Sequence, residues 1–234
     1  MKGLKKILAA ICIATIPVLH SCNDEEGYSI GDFTHPSWAT ISTTGDSFYL
    51  NDDTWGTLWP INQDLNLNVA GYQPNNGQRV IISFNPIADN YYGYDHAIKI
   101  LSMQEVLTKE VEILTSENEE EFGYDPILIN KENLTISGNH LNIIYQQNRP
   151  SQNKHCICLV RPSSDKELLD EDGYIHLELR YNTFNDVTGF RVSNAVSFNL
   201  GSLPITSDTP GIKLKLNSEI NGETEIVLPL YWQE

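Results

Sequence analysis

From about residue 37 onward, apolar and polar residues alternate with a period of two, and Gly, Asn and Asp interrupt the alternation at short intervals. Successive side chains of a strand point to opposite faces of a sheet, so this pattern is typical of half-buried strands. No stretch in this part of the sequence keeps the helical period for three turns. The sequence therefore predicts an all-β fold.

The first half contains five predicted strands, separated by turn residues at Gly45-Asp46 and at positions 52–56. These strands are predicted at Ser37–Thr43, Ser47–Leu50, Thr57–Trp59, Arg79–Phe84 and His96–Leu101. Five short strands in about 70 residues suit a small OB-like barrel, which closes its own edges. We therefore predict an OB-like β-barrel domain over residues 35–107.

Residues 108–125 form an acidic stretch with few apolar residues. Its acidic residues include Glu110, Glu112, Glu117, Glu119, Glu120 and Glu121. Such a stretch repels itself and is typical of a solvated linker. We therefore predict an acidic linker over residues 108–125 between two separately folded domains.

The remaining residues, 126–234, contain seven further predicted strands with frequent turns. These strands are predicted at Leu134–Ser137, Leu141–Gln146, His155–Val160, Tyr174–Tyr181, Phe190–Phe198, Ile212–Leu216 and Thr224–Leu230. Asn221-Gly222 between the last two indicates a hairpin with a two-residue turn. The pattern predicts a β-sandwich domain.

The first residues have a different pattern, in which lysines precede an apolar run from Ile7 to Leu19. This run is too short for a permanent membrane span, so residues 1–21 are predicted to be a cleaved export signal. The run ends in Leu19-His20-Ser21-Cys22, which resembles the lipobox of bacterial lipoproteins. Cys22 is therefore the predicted lipidated first residue, and acyl chains on it would hold the protein on a membrane without spanning it.

Residues 22–34 are the predicted tether of this lipoprotein. They begin with Asn23-Asp24-Glu25-Glu26, an acidic run that resembles the surface-export signal of lipoproteins in some Gram-negative groups. The predicted location is the outer membrane, with display on the cell surface. The periplasmic leaflet is the alternative, because a solvated tether has the same composition.

Charge narrows the set of partners. Removal of residues 1–21 leaves 12 basic and 31 acidic residues, a net charge of −19. Nucleic-acid binding needs clustered Lys and Arg, so no nucleic-acid partner is expected. Only Cys156 and Cys158 remain for the fold once Cys12 leaves with the signal and Cys22 is lipidated, so no disulfide framework is expected.

Several short segments along the chain together resemble a known family. They are Gly31-Asp32-Phe33, Trp38-Ala39-Thr40, Gly77-Gln78-Arg79-Val80-Ile81, Tyr94-Asp95, Ile98-Lys99-Ile100, Leu107-Thr108-Lys109, Asp125-Pro126-Ile127, Leu141-Asn142-Ile143, Lys154-His155, Asp172-Gly173-Tyr174, Leu177-Glu178-Leu179-Arg180 and Val196-Ser197-Phe198. In these residues the chain resembles a NigD-like lipoprotein. The resemblance implies an N-terminal OB-like domain, a C-terminal β-sandwich and an association with bacteriocin immunity. It implies no catalytic or ligand-binding residue.

Three groups of polar residues in the second half have more than one interpretation. Cys156 and Cys158 lie on the same face of a predicted strand. They are interpreted as buried core thiols, as a redox pair, or as two of the ligands that a zinc site requires. One face of another predicted strand carries His176, Glu178 and Arg180. This face is either an acid-base site or the solvated side of a half-exposed strand. The acidic run at residues 170–172 is a calcium loop or a charged turn, and it lacks the regular acidic spacing of calcium loops.

The segment Asn90-Tyr91-Tyr92-Gly93-Tyr94-Asp95-His96 is the strongest candidate for a binding site. Tyrosines offer amphipathic contact area, and Gly93 with its Asx neighbours indicates a turn. In an OB-like barrel this loop leads into the last strand, where oligosaccharides and oligonucleotides bind. Tyr91, Tyr92 and Tyr94 are therefore predicted ligand-binding residues, with ordinary hairpin packing as the alternative.

No nucleophile elbow, zinc-protease motif, phosphate-binding loop or dinucleotide fingerprint is present. We therefore expect no catalysis, cofactor or metal. The predicted function is that of a lipid-anchored envelope module that binds a protein or a glycan. The alternatives are a bacteriocin-associated immunity or interaction protein, and a hydrolase with an unrecognised site in the β-sandwich.

Overall fold

The computed structural model describes residues 36–63, 73–164 and 168–230. The predicted signal peptide, Cys22 and the tether over residues 22–34 lie outside these ranges. Within them the regular secondary structure is almost entirely β, as predicted, and the helical elements, such as α1 (Glu119–Phe122) and a 3-10 turn at Lys131–Asn133, are short.

The first domain is a closed five-stranded barrel. Its strands are β1 (Ser37–Thr44), β2 (Ser47–Asp52), β3 (Gly56–Pro60), β4 (Arg79–Tyr91) and β5 (Tyr94–Glu105). They are hydrogen-bonded in the order β1-β2-β3-β5-β4, with β4 paired back to β1. This order, with a parallel β3–β5 pair, confirms the predicted OB-like barrel.

Alternation along these strands fills the barrel. In β2, Phe48 and Leu50 point inward and are buried, whereas Tyr49 between them is only partly buried. The interior consists of Ala39, Ile41, Phe48, Leu50, Leu58, Val80, Ile82, Phe84, Ile98 and Ile100. Each large apolar side chain removed from water in this way contributes roughly 1.5–3 kcal/mol.

The second domain is a sandwich of two sheets, which confirms the predicted β-sandwich. Its strands are β6 (Leu107–Glu110), β7 (Glu112–Ile113), β8 (Leu134–Ser137), β9 (His140–Asn148), β10 (Cys156–Arg161), β11 (Ile175–Asn182), β12 (Arg191–Asn199), β13 (Gly211–Ser218) and β14 (Gly222–Pro229). One sheet has the order β14-β13-β11-β10-β7 and the other the order β6-β12-β9-β8. Their facing side chains, such as Ile143, Leu159 and Phe198, form one continuous core.

The structure differs from the prediction of a linker over residues 108–125. Strand β6 pairs in parallel with β12, and β7 pairs in parallel with β10, so this segment supplies an edge strand to each sheet. In α1, Phe122 is 6% exposed and packs against Cys158 and Val160. The glutamates face solvent while a few apolar side chains and the backbone bind the segment to the sandwich.

The hairpin between β13 and β14 also differs in detail. Ser218 pairs with Gly222, so the connection has three residues, Glu219 to Asn221, instead of two. Gly222 itself has a φ of 69° and begins β14. A glycine in the left-handed region at the end of a three-residue connection is a common alternative to the two-residue turn.

A buried ion pair lies where the two domains meet. Arg79, the first residue of β4, is fully buried, and its two terminal nitrogens donate to the two carboxylate oxygens of Asp53 at 2.8 and 2.7 Å. Nη1 of Arg79 also donates to the Thr40 hydroxyl, and its guanidinium lies over the Trp38 ring. All four of these residues belong to the barrel domain.

The sandwich completes this network. Nη2 of Arg79 donates to Asn142 Oδ1 of β9 at 3.0 Å, and the Ser137 hydroxyl of β8 donates to Asp53 Oδ2 at 2.6 Å. Asn142 donates in turn to Ser137 and accepts a hydrogen bond from Ser197. The guanidinium and the carboxylate therefore have partners from both domains, and the two domains share one polar centre.

Candidate binding site

The three predicted tyrosines lie at the tip of the β4–β5 hairpin. Tyr91 pairs with Tyr94, so Tyr92 and Gly93 form a two-residue turn. Both turn residues have positive φ, 48° for Tyr92 and 91° for Gly93, as the type I′ turns of tight hairpins require. The turn predicted from Gly93 is therefore present, and it places Tyr92 at the outermost position.

The conformation of Tyr92 is unfavourable for that residue type. Left-handed backbone costs a bulky L-residue roughly 1–2 kcal/mol, and glycine or asparagine would fit without that cost. The Tyr92 side chain is also 88% exposed, with its ring edge-on to Tyr91 at 4.7 Å between centroids. A strained backbone that displays a large aromatic ring to solvent is characteristic of functional sites.

The turn adjoins a cluster of aromatic rings on the outside of the barrel. Tyr94 of β5 lies 4.8 Å from Trp59 of β3 and 5.2 Å from Tyr49 of β2, measured between ring centroids. Tyr49 and Trp59 point outward because their neighbours along each strand point into the barrel. Tyr91, Tyr92, Tyr94, Tyr49 and Trp59 together form what we call the aromatic platform.

The platform lines a depression of about 400 Å³. Its lining residues are Thr44, Ser47, Trp59, Tyr91, Tyr92 and Tyr94. They come from the β1–β2 turn, strand β3 and the β4–β5 hairpin. In OB folds the face of the second and third strands, together with these two loops, is the general ligand-binding surface.

Sequence reasoning found the three hairpin tyrosines and missed the other residues of the site. Tyr49 and Trp59 are distant in sequence from the hairpin, and the barrel closure through the β3–β5 pair brings them to it. A signal was present, because each is a large aromatic at a strand position whose two neighbours are apolar and inward. Aromatics at solvent-facing positions of two strands that become neighbours indicate a surface cluster.

A carboxylate holds β3 against the hairpin strand. Asp95, next to Tyr94, accepts hydrogen bonds from the backbone amide and the hydroxyl of Thr57, both at 2.7 Å. These donors lower the pKa of the Asp95 carboxyl, so it is ionised at neutral pH. Asp95 and Thr57 therefore fix the distance between the strands that carry Tyr94 and Trp59.

His176 and Glu178 of the alternative acid-base group line one depression, and each is held by a neighbouring polar side chain. His176 Nε2 lies 3.1 Å from Asp170 Oδ2, which also accepts a hydrogen bond from Lys213. Glu178 lies 3.2 Å from Arg180 Nε, and Arg180 also reaches Glu119. These contacts lie on the outer face of the five-stranded sheet, and those made by Lys213 and Arg180 are ion pairs.

The acidic run at residues 170–172 is held by local hydrogen bonds and by a neighbouring lysine. Asp170 accepts hydrogen bonds from the backbone amides of Asp172 and Tyr174, and the ammonium of Lys213 is the main cause that holds the pKa of its carboxyl below the usual range. Residues 170–172 therefore form a charged turn. Over the described ranges, no group of three or more His, Cys, Asp or Glu side chains is arranged to hold a metal ion.

Comparison with known families matches both domains. The model described as the NigD-like N-terminal OB domain matches residues 38–106, and that of the NigD-like C-terminal beta sandwich domain matches residues 110–230. The second match begins inside the predicted linker, at the last residue of β6, and it includes β7 and α1. No curated protein matches the chain.

Solved structures of proteins from Bacteroides and Parabacteroides species share the fold. A protein of unknown function from Bacteroides vulgatus is 26% identical with a TM-score of 0.73, covering 84% of this chain and 90% of its own. A protein from Parabacteroides distasonis, named as a candidate toxin-related protein, is 26% identical with a TM-score of 0.67, covering 84% and 92%. A NigD-like immunity protein from Bacteroides caccae is 18% identical with a TM-score of 0.59, covering 88% and 95%. No helix among the described residues has the length and apolarity needed to cross a bilayer.

Proposed function

The chain belongs to the NigD-like family, and on that premise we propose that it is an envelope-anchored binding protein whose aromatic platform holds a neutral glycan. Catalysis is not part of the proposed function. The observation that carries the proposal is the position of the platform, which coincides with the general ligand-binding face of OB folds.

The chemistry of the platform favours a sugar. The apolar faces of sugar rings pack on aromatic rings, and Thr44 and Ser47 at the rim supply hydroxyls that donate and accept hydrogen bonds. The depression is within the usual size range of small-ligand sites, which is roughly 300–1,000 Å³. A platform of this size suits part of an oligosaccharide chain.

Charge supports a neutral ligand over a polyanion. The full chain has a net charge of −16, and Asp46 and Asp89 are exposed beside the two loops of the platform. No arginine or lysine lines the depression within the described residues. Nucleic acids would therefore be repelled through their phosphates, although nucleic-acid bases also stack on aromatic rings.

The test uses the double change Tyr91→Ala and Tyr92→Ala. Each ring stacked on a ligand contributes roughly 1 kcal/mol, so the double variant should bind a glycan about tenfold or more weakly. A panel of neutral oligosaccharides is screened with the wild type, and titration calorimetry then compares the variants. Ile87→Ala, which removes an exposed apolar side chain from β4 outside the platform, is the matched control.

Three outcomes would overturn the proposal. The first is the absence of any bound glycan in the panel, and the second is equal affinity of the double variant and the wild type. The third is hydrolysis of a bound oligosaccharide, which would make the chain an enzyme. A large fall in the melting temperature of the double variant would instead assign the rings to structural packing.

The anchor is the second part of the proposal. Export and lipidation of Cys22 are supported by the lipobox-like sequence and by a neighbour from Bacteroides fragilis that is named as a candidate lipoprotein. Cys22→Ser should abolish membrane association, and persistence in the membrane fraction after a high-salt wash would refute it. Changing Asp24, Glu25 and Glu26 to Ala should leave lipidation intact. The variant should no longer be cleaved by protease that is added to whole cells.

An interaction role in bacteriocin immunity is the second candidate function. It is favoured by the names of two structural neighbours, the immunity protein from Bacteroides caccae and the candidate toxin-related protein from Parabacteroides distasonis. A protein partner would also use exposed tyrosines, which are common in protein interfaces. Protection of cells from a bacteriocin, lost on deletion of the gene and in the Tyr91→Ala, Tyr92→Ala variant, would favour this function over glycan binding.

A further inference from the structure

Two thiols lie side by side on the outer face of β10. Cys156 and Cys158 are separated by one residue on the strand, so both side chains point to the same face, and their sulfurs are 3.3 Å apart. Ile157 between them points into the sandwich core. Both cysteines are free.

The acidic segment before β8 covers this pair of thiols. Phe122 of α1 and Leu114 pack around Cys158, which is 1% exposed, whereas Cys156 at the start of the strand is only partly buried. The two thiols therefore differ in access, since a reagent in solution reaches Cys156 first.

A lysine ammonium is held against the pair. Lys109 Nζ of β6 lies 3.0 Å from Cys158 Sγ and donates to the backbone carbonyl of Ile157, also at 3.0 Å. Glu112 is 3.6 Å away and balances part of the ammonium charge. An ammonium so close to sulfur stabilises a thiolate.

The pair shares its first ionisation. The hydrogen bond from Cys158 is the main cause that lowers the pKa of Cys156 to about 7, with help from Lys109, while burial, Glu121 and Glu112 oppose it. The pKa of Cys158 is raised, because its proton is held between the two sulfurs and because it is buried. Loss of the first proton from the pair is therefore favoured, and the resulting charge is centred on the more accessible sulfur.

We propose that Cys156 and Cys158 form a reversible dithiol–disulfide site, oxidised by exchange with a small or protein-borne disulfide. The Cys156 thiolate attacks one sulfur of the external disulfide, a mixed disulfide forms on Cys156, and the other half leaves as a thiolate. Cys158 then loses its proton and attacks the Cys156 sulfur, releasing the second half as a thiolate. One external disulfide becomes two thiols, and the protein loses two protons and two electrons.

The position of the pair on a strand makes the resulting bond easy to reduce. Residues i and i+2 of an extended strand are near the limit of disulfide reach, so ring closure strains the bond or bends β10. Strained disulfides have more oxidising potentials and are the labile ones. Reduced glutathione is therefore expected to reopen the bond.

The test follows one peptide of the wild-type chain. The full chain, purified in detergent, is equilibrated in glutathione buffers from fully oxidised to fully reduced, quenched with acid and digested with trypsin. Because Arg161 precedes Pro162, both cysteines lie in the peptide of residues 155–166. Mass spectrometry should show loss of two hydrogens in oxidised glutathione and their return in reduced glutathione.

Three results with the wild type would overturn the proposal. The first is a peptide that remains a dithiol in fully oxidised glutathione. The second is a reaction that stops at a glutathione adduct on Cys156, and the third is a disulfide that persists in excess reduced glutathione. Variants then test the order of steps. Cys158→Ser should accumulate the mixed disulfide on Cys156, and Cys156→Ser should leave Cys158 unmodified in the folded chain.

Lys109→Gln tests the role of the ammonium. Loss of the positive charge should raise the pKa of the attacking thiol and slow its alkylation by iodoacetamide at pH 7 several-fold, whereas Lys131→Gln, an exposed lysine elsewhere in the sandwich, should leave the rate unchanged. Equal alkylation rates in wild type and Lys109→Gln would show that the lysine does not activate the pair.

Discussion

Substitution of Asp53 by Ala should destabilise the protein far more than loss of a surface ion pair. The Asp53 side chain is 5% exposed and that of Arg79 is fully buried, so the change leaves a guanidinium in the interior without its counter-charge. Removal of one partner of a buried pair costs about 3–5 kcal/mol, whereas an exposed pair contributes about 0–1 kcal/mol. We therefore expect Asp53→Ala to lower the free energy of unfolding by about 3–5 kcal/mol.

The double variant Asp53→Ala, Arg79→Met should recover most of that loss. Replacement of a whole buried ion pair by apolar residues is often neutral or stabilising. On the sandwich side of the network, Asn142 keeps its hydrogen bonds with Ser137 and Ser197 in the double variant, and only the Ser137 hydroxyl loses its acceptor. The double variant should therefore be more stable than the single variant.

Urea unfolding with two optical signals measures both stability and coupling. Three of the four tryptophans, Trp38, Trp55 and Trp59, belong to the barrel, so their fluorescence reports on that domain, whereas far-UV circular dichroism reports on both. The wild type should show coincident transitions, and Asp53→Ala should separate them, because the shared network is broken. Glu223→Ala, which removes the exposed partner of Lys215, is the control.

Two results would refute this reasoning. A cost below about 1 kcal/mol for Asp53→Ala would place the pair among solvent-screened ion pairs. Separate transitions in the wild type would mean that the polar centre does not couple the two domains.

Three further predictions follow from other sites. Phe122→Ala should cost about 3–5 kcal/mol in urea unfolding and convert the segment around it from protease-resistant to protease-sensitive, because the ring fastens α1 to the sandwich. Gly138→Ala should lower the melting temperature much more than Gly45→Ala. Both glycines have positive φ, but only at Gly138 would an added Cβ overlap the carboxylate of Asp53. The backbone amide of Gln152 and its neighbours hold the pKa of Asp186 below its usual 3.8, so the stability that this carboxylate contributes is present above about pH 4 and is lost as the pH falls further. Melting temperatures between pH 6 and pH 3 should therefore fall less steeply in Asp186→Asn.

Each of these predictions has an outcome that contradicts it. First cleavage of the wild type within residues 109–122 would restore the linker interpretation. Equal melting temperatures for the two glycine variants would show that the structure relaxes around Gly138. An unchanged pH profile in Asp186→Asn would mean that another carboxylate governs acid unfolding.

Strands with alternating burial were predictable from sequence, and the edge strands were not. The twelve predicted strands are all present because each has inward apolar residues at every second position, as Phe48 and Leu50 have. In β6 and β7, Leu107 is 53% exposed and Ile113 is 43% exposed. Backbone pairing and a few polar side-chain contacts hold these strands, so their sequence has no periodic apolar signal and their glutamates indicated a linker.

The junction between the domains was also beyond sequence reasoning. Arg79 is a single charged residue at the start of a predicted strand, and such residues are ordinarily solvated. Its burial depends on Asp53, which is 26 residues away, and on Asn142, which is 63 residues away. The turn residues around Gly93 were enough to predict that the hairpin tyrosines lie at a turn. Trp59 lies beside them only because the barrel closes, which the sequence does not indicate.

The distribution of strand partners along the chain sets the order in which the two domains are completed. All barrel strands lie within residues 37–105, so the barrel has every partner that it needs once that part of the chain is available. Strand β6 must wait for β12, since Leu107 pairs with Val196, 89 residues later. Contacts between distant residues slow folding because the intervening loop has to close first. The barrel therefore needs no strand from the second half of the chain, whereas one edge of the sandwich depends on joining residues that lie 89 positions apart.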